Sequence, residues 1–172
     1  VERLLEQLNE NDRLSIVIFD DLVERLTPLL RMTGANKTKI INSIQNIGGN
    51  GGTNIKERLQ TAVNVLNSRR YFNNVAGIFL LSDGVDDRNH DPIIEIVKLN
   101  KYTVHTFGFG PEIDVQLLTK IAEIRDGNFY HIQRTDLVDK YFAQSLSGLS
   151  SAIVSWVHVR VLRLVILISS RE

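Results

Sequence analysis

Hydrophobic positions along this chain recur alternately at a spacing near 3.6 and in short, almost unbroken runs, the pattern of helices and strands that take turns. Leu4, Leu5 and Leu8 close a helix that stops in Asn9-Glu10-Asn11-Asp12. Residues 14–19 then form an apolar run, β-branched at Ile16, Val17 and Ile18, that predicts a buried strand. Asp20-Asp21 supplies turn residues, and residues 22–30 predict a returning antiparallel partner that Pro28 confines to the sheet edge. Ile40, Ile41, Ile44 and Ile47 share a helical face ending at Gly48, and Ile55, Leu59, Ala62, Val63 and Leu66 mark a second helix beyond the glycine run.

Residues 75–82 are apolar almost throughout, as expected of a parallel strand covered on both faces. Asp91 followed by Pro92 predicts the cap and first turn of a helix through Leu99, and residues 103–107 predict the next strand, ended by a Gly108-Phe109-Gly110 turn. Asp114 caps a helix carrying Leu117, Leu118, Ile121, Ala122 and Ile124, with Gly127 suited to a left-handed terminus. A strand at 129–132 and a helix at 136–150 follow. The fold class is therefore α/β: a doubly wound, mostly parallel sheet with one antiparallel edge and helices on both faces. Residues 1–150 form this domain. In residues 151–172, Val157, Val159 and Val161 alternate around His158 and Arg160, which predicts a half-buried strand opening another module.

The 172 residues, 43% of them hydrophobic, suit one core without disulfides. Twenty basic and twenty acidic residues give no global field towards nucleic acid or membrane, so partner choice falls to a local site. The absence of Cys leans towards a reducing compartment, hence the cytoplasm, and rules out thiol chemistry. No signal-peptide pattern opens the chain, and the apolar stretch 157–168 is interrupted by Arg160 and Arg163, which argues against membrane insertion. Enzyme motifs are missing: residues 48–56 lack the Gly-Lys-Ser/Thr ending of a phosphate loop, His90, His105, His131 and His158 are dispersed, and no Gly-x-Ser-x-Gly elbow occurs. Arg69-Arg70-Tyr71-Phe72 reads as a solvated helix end. No catalytic residue is assigned.

Two segments carry candidate chemistry. Gly48-Gly49-Asn50-Gly51-Gly52-Thr53-Asn54 opens a helix with a hydroxyl at Thr53, and Leu80-Leu81-Ser82-Asp83-Gly84 ends a buried strand with a carboxylate. These join Asp12-Arg13-Leu14-Ser15-Ile16-Val17, Thr106-Phe107-Gly108-Phe109-Gly110, Ile121-Ala122 and Gly127-Asn128-Phe129-Tyr130 in an order that resembles von Willebrand factor type A domains over residues 1–150. The resemblance implies a non-catalytic protein-interaction module of adhesion or scaffold type, with a metal-ion-dependent adhesion site. There Thr53 and Asp83 help hold Mg²⁺, whose coordination a partner's acidic side chain completes. It also implies contact through the loops around Gly51, Gly52, Thr53, Asp83 and Gly84. The family's first strand, central and ending in Asp-x-Ser-x-Ser, is not found ahead of these motifs, so the ligand set is incomplete. The two ligands left are too few to hold a reluctantly dehydrating ion tightly. The alternative is a Mg²⁺-dependent phosphohydrolase-like enzyme using Asp83 with Asp86 and Asp87.

Overall fold

The computed structural model of the chain describes residues 2–19, 23–24, 27–45, 54–70, 75–151 and 163–168. Strands β1 (Arg13–Phe19), β2 (Val23–Glu24), β3 (Leu30–Arg31), β4 (Ala76–Ser82), β5 (Thr103–Phe109), β6 (Phe129–Ile132) and β7 (Arg163–Ile168) form a seven-stranded sheet. Its order is β2-β1-β7-β4-β5-β6, with β3 also paired to β1. Only β2 and β3 run antiparallel to their neighbour. The helices are α1 (Glu2–Gln7), α2 (Gly34–Gln45), α3 (Ile55–Asn67), α4 (Asp91–Leu99), α5 (Val115–Glu123) and α6 (Val138–Ser151), the last preceded by a 3-10 turn at Thr135–Leu137.

Alternation along the strands divides the core between the two faces. Val17, Ile78, Leu80 and Val104 pack under α3, α4 and α5, while Leu14, Ile16, Ile18, Phe79, Leu81 and Phe107 meet α1, α2 and α6. The second face is rich in rings: Phe79, Phe107 and Phe142 meet pairwise, with centroids 4.9–6.0 Å apart.

The centre of the sheet departs from the sequence expectation. The place between β1 and β4, where the family's first strand belongs, is taken by β7. Residues 163–168 pair in parallel with Arg13–Ile18 on one side and with Ala76–Leu81 on the other. The tail strand thus lies further along than the alternation at 157–161 suggested, and it joins this sheet. The physical reason is that an apolar, β-branched run gains hydrogen bonds on both edges, and Ile166 is buried among Leu14, Ile16 and Phe79.

The antiparallel return is split into two short pieces, not one strand over 22–30. Between them, Thr27 Oγ1 accepts the Ile16 N–H at 3.0 Å, the Thr27 N–H bonds Ile16 O at 3.2 Å, and Ser15 Oγ donates to Thr27 O at 2.7 Å. A threonine thereby satisfies ladder groups of β1 just ahead of Pro28. The left-handed residue after α5 is Asp126 (φ 54°), not Gly127. Gly127 is required for another reason: a Cβ there would lie 2.0 Å from the Val104 carbonyl oxygen. Gly108 and Phe109 continue β5, and the turn begins at Gly110, with φ 82°.

Candidate functional site at the strand ends

The carboxyl ends of β4 and β5 and the N-terminus of α3 come together at one end of the sheet, beside the centre where chain direction around the sheet switches. The helix is capped by Asn54, whose side chain accepts the Glu57 N–H at 3.3 Å. Thr53, Gly51 and Gly52 lie outside the described residues, as does Ile47 with the glycines that follow it.

Asp83 follows β4 directly and is half-buried, as the Leu-Ser-Asp-Gly signal places it. The buried Ser82 hydroxyl donates to Gly84 O at 3.2 Å and tightens the turn beneath it. Asp86 turns inward. It is 1% exposed, its Oδ2 accepts the Ile55 N–H at 2.9 Å, and its Oδ1 accepts the Arg88 N–H at 3.2 Å. A carboxylate on a first-turn N–H is favoured by both the open donor and the helix dipole. Farther round the loop, His90 Nε2 lies 2.8 Å from Asp86 O and 3.4 Å from Asp114 Oδ2. Asp114 in turn caps α5, its Oδ1 accepting the Leu117 N–H at 2.9 Å. His90, not Asp91, precedes the first residue of α4 and makes no side-chain cap bond. Residues 83–90 are thus tied from inside to the starts of α3 and α5, while Val85, Asp87, Arg88 and Asn89 face outward.

Sequence reasoning missed Arg58. It lies one turn along α3 from Ile55 and is 0% exposed. Burial pushes its guanidinium down to about 10, opposed by the carboxylates of Asp86 and then Asp83, with Arg88 adding a smaller downward push. It remains charged at neutral pH. The available signal was its position: Arg58 interrupts the apolar face made by Ile55, Leu59 and Ala62.

The phosphate-binding alternative is not assembled. Asp86 is committed to backbone donors and Asp87 is exposed, so the three carboxylates do not converge. Nor do the described donors fit a divalent ion. Among the described residues no group of three His, Asp or Glu side chains could hold a metal, and Asp83 shares its surroundings with a buried guanidinium. The described central strand, residues 163–168, contains no Asp, Ser or Thr. His105 and His131 are structural. His105 is buried in β5 with Nδ1 accepting the Asn128 N–H at 3.1 Å, and His131 Nε2 lies 2.9 Å from Gly110 O. Arg69 binds Leu66 O and the Tyr102 hydroxyl at the end of α3, in keeping with a helix end.

The sheet order, the antiparallel return and the Asp at the end of β4 define a doubly wound domain of the class the motifs resemble. The von Willebrand factor type A domain profile matches residues 1–144, and the chain belongs to that family. An uncharacterized protein of Synechocystis is 28% identical over 162 residues, covering 91% of this chain and 37% of that protein. The probable E3 ubiquitin-protein ligase WAVH2 of Arabidopsis thaliana is 38% identical over 88 residues, covering 48% of this chain and 12% of that protein. The chain therefore spans little more than a third of one relative and about an eighth of the other. Among solved structures, a von Willebrand factor type A protein of Catenulispora acidiphila superposes with a TM-score of 0.74 at 18% identity, over 87% of this chain and 36% of that one. That likeness concerns the fold. No described helix is long and apolar enough to cross a membrane.

Proposed function

We propose that this domain is a non-catalytic protein-interaction module that receives its partner on the loops at the carboxyl ends of β4 and β5. The observation that carries the reading is the loop 83–90: Asp86 and His90 anchor it from within, and Val85, Asp87, Arg88 and Asn89 project from it. A loop held rigid by buried bonds gives up little conformational entropy when a partner docks, which favours recognition at such a place. Family membership supports the same class of function. In the Arabidopsis relative the matched segment is a small part of a chain named for ligase activity, and we assign such a segment the holding of a partner. The Mg²⁺-bridged contact through Thr53 and Asp83 belongs to a sheet whose central strand ends in Asp-x-Ser-x-Ser. We infer instead that the loop makes the contact directly, a reading supported by residues 163–168 holding that place without an Asp.

The test is to isolate a partner by affinity capture, then titrate it against the chain and against Val85→Asp/Arg88→Glu. Binding should weaken at least about tenfold, the effect of losing a contact residue or two. Leu99→Ser, at the far end of α4 and 83% exposed, serves as control and should leave binding unchanged. If the control abolishes binding and the loop variant does not, the surface is elsewhere.

A further inference from the structure

Arg58 is among the largest fully buried side chains described, and it lies one turn along α3 from Ile55, whose N–H holds the Asp86 carboxylate. Its helix explains the placement. Ile55, Arg58, Leu59 and Ala62 share the buried face of α3, and the Ile55 N–H is bonded to Asp86. The Asp86 carboxylate is therefore fixed at the first turn, on the side from which Arg58 projects one turn later. Asp83 adds a second negative group at the end of β4, and it too acts on the guanidinium.

Removing a guanidinium from water is strongly unfavourable unless carboxylates compensate it, and a buried carboxylate such as Asp86 equally favours a cation nearby. Each side of the arrangement supplies what the other lacks. A dication entering the same space would meet a like charge nearby, and both oxygens of Asp86 are already engaged by backbone N–H groups. The Arg side chain suits this role better than Lys would, because it keeps its charge when buried and presents a planar set of donors.

We propose that Arg58 is the resident cation of the strand-end site: it neutralises Asp83 and Asp86, and holds residues 83–90 in place of a divalent ion, so that the domain does not depend on metal. The consequence for a partner rests on the contact surface proposed above. The consequence for stability needs no partner, so either can fail alone.

The experiment is thermal melting of the 172-residue chain in 10 mM MgCl₂, in 10 mM MnCl₂ and in EDTA, with the variants Arg58→Met and Arg58→Lys. The unmodified chain should melt at the same temperature in all three. A rise of about 3 °C or more in either ion, the shift that a millimolar site produces at this concentration, overturns the proposal. Arg58→Met, which keeps apolar bulk and loses charge, should melt about 10 °C lower, as expected when one member of a buried charged set is removed. Arg58→Lys should recover at least half of that loss; a Lys variant as unstable as Met would make Arg58 a packing residue and end the argument. Should Arg58→Met not fold, Arg58→Met/Asp86→Asn removes the uncompensated charge and should fold, and an unfolded double variant counts against the proposal.

Discussion

His105 should make the domain progressively less stable in mild acid, and the size of the effect follows from its setting. The ring is 1% exposed in β5, its Nδ1 accepts the Asn128 N–H at 3.1 Å, and it meets Phe79 edge to face with centroids 5.4 Å apart. A proton on Nδ1 would displace that donor, and the charge would have no water. Burial accordingly pushes the imidazole down to about 4 from an ordinary 6.5. The unfolded chain binds the proton below about pH 6.5 and the folded chain only below about 4, so the unfolded state gains throughout that window. The contribution is complete above about pH 6.5, falls by about 1.4 kcal/mol per pH unit through the window, and levels off below about pH 4. Carboxylates titrate in the same range, so the measurement is a difference. His105→Asn keeps an oxygen acceptor near the position of Nδ1 and cannot titrate. Urea unfolding of both proteins at pH 7.5, 6.5, 5.5 and 4.5 should show the stability advantage of the unmodified chain shrinking by about 2.5 kcal/mol across the series. Parallel stability curves, with a difference constant to within about 0.5 kcal/mol, would refute the buried neutral imidazole.

Four further outcomes follow from the geometry. Gly127→Ala should cost at least about 3 kcal/mol in denaturant unfolding, because its Cβ would meet the Val104 carbonyl at 2.0 Å and both sides of that contact are backbone. Gly148→Ala, inside α6 with nothing within 4 Å of its Cβ, should instead stabilise by about 0.5–1 kcal/mol. Asp86→Ala should cost about 3 kcal/mol, since it strands the Ile55 and Arg88 N–H groups and takes a carboxylate from Arg58, while Asp86→Asn, which retains an acceptor, should cost less. Asp114→Ala should cost about 1 kcal/mol by uncapping α5, and should raise amide exchange at Leu117 and through residues 83–90, which hydrogen-exchange mass spectrometry reads directly.

The elements that sequence reasoning located well are those whose burial is one- or two-sided in a regular way. The run 75–82 is apolar because β4 is covered on both faces, and the periodic leucines and isoleucines of α3, α4 and α5 mark single buried stripes. Errors gathered where one side chain decides between neighbouring possibilities. The sequence predicts Asp91 as the cap of α4, but the helix takes Asp91 as its first residue and His90 stands before it. Asp126 and Gly127 compete for the left-handed position, and the close approach of Val104 reserves glycine for its missing Cβ instead. In the edge return, the hydroxyl of Thr27 does ladder work that no periodicity registers. Asp83 was legible because a polar residue ending an apolar strand stands out. Arg58 was not, because an Arg on an amphipathic helix is normally solvated, and only the partner loop reveals the carboxylates that allow it inward.

The central strand shows why fold and site separate in this chain. The place between β1 and β4 selects an occupant by backbone and pattern: a run of strand-forming apolar residues able to pair in parallel on both edges, with one side chain in two facing each core. Residues 163–168 meet those terms, and Ile166 enters the face of Leu14, Ile16 and Phe79 as an apolar residue of a native strand should. A metal site selects by residue identity at fixed points, and the sequence directly after β7 reads Ser169-Ser170-Arg171-Glu172, without an Asp. The sheet can therefore be closed by a strand that brings none of the expected first carboxylate. A strand-end site left with Asp83 and Asp86 then needs its positive charge from within the chain, and Arg58, buried one turn along α3 from the N–H that holds Asp86, is placed to supply it.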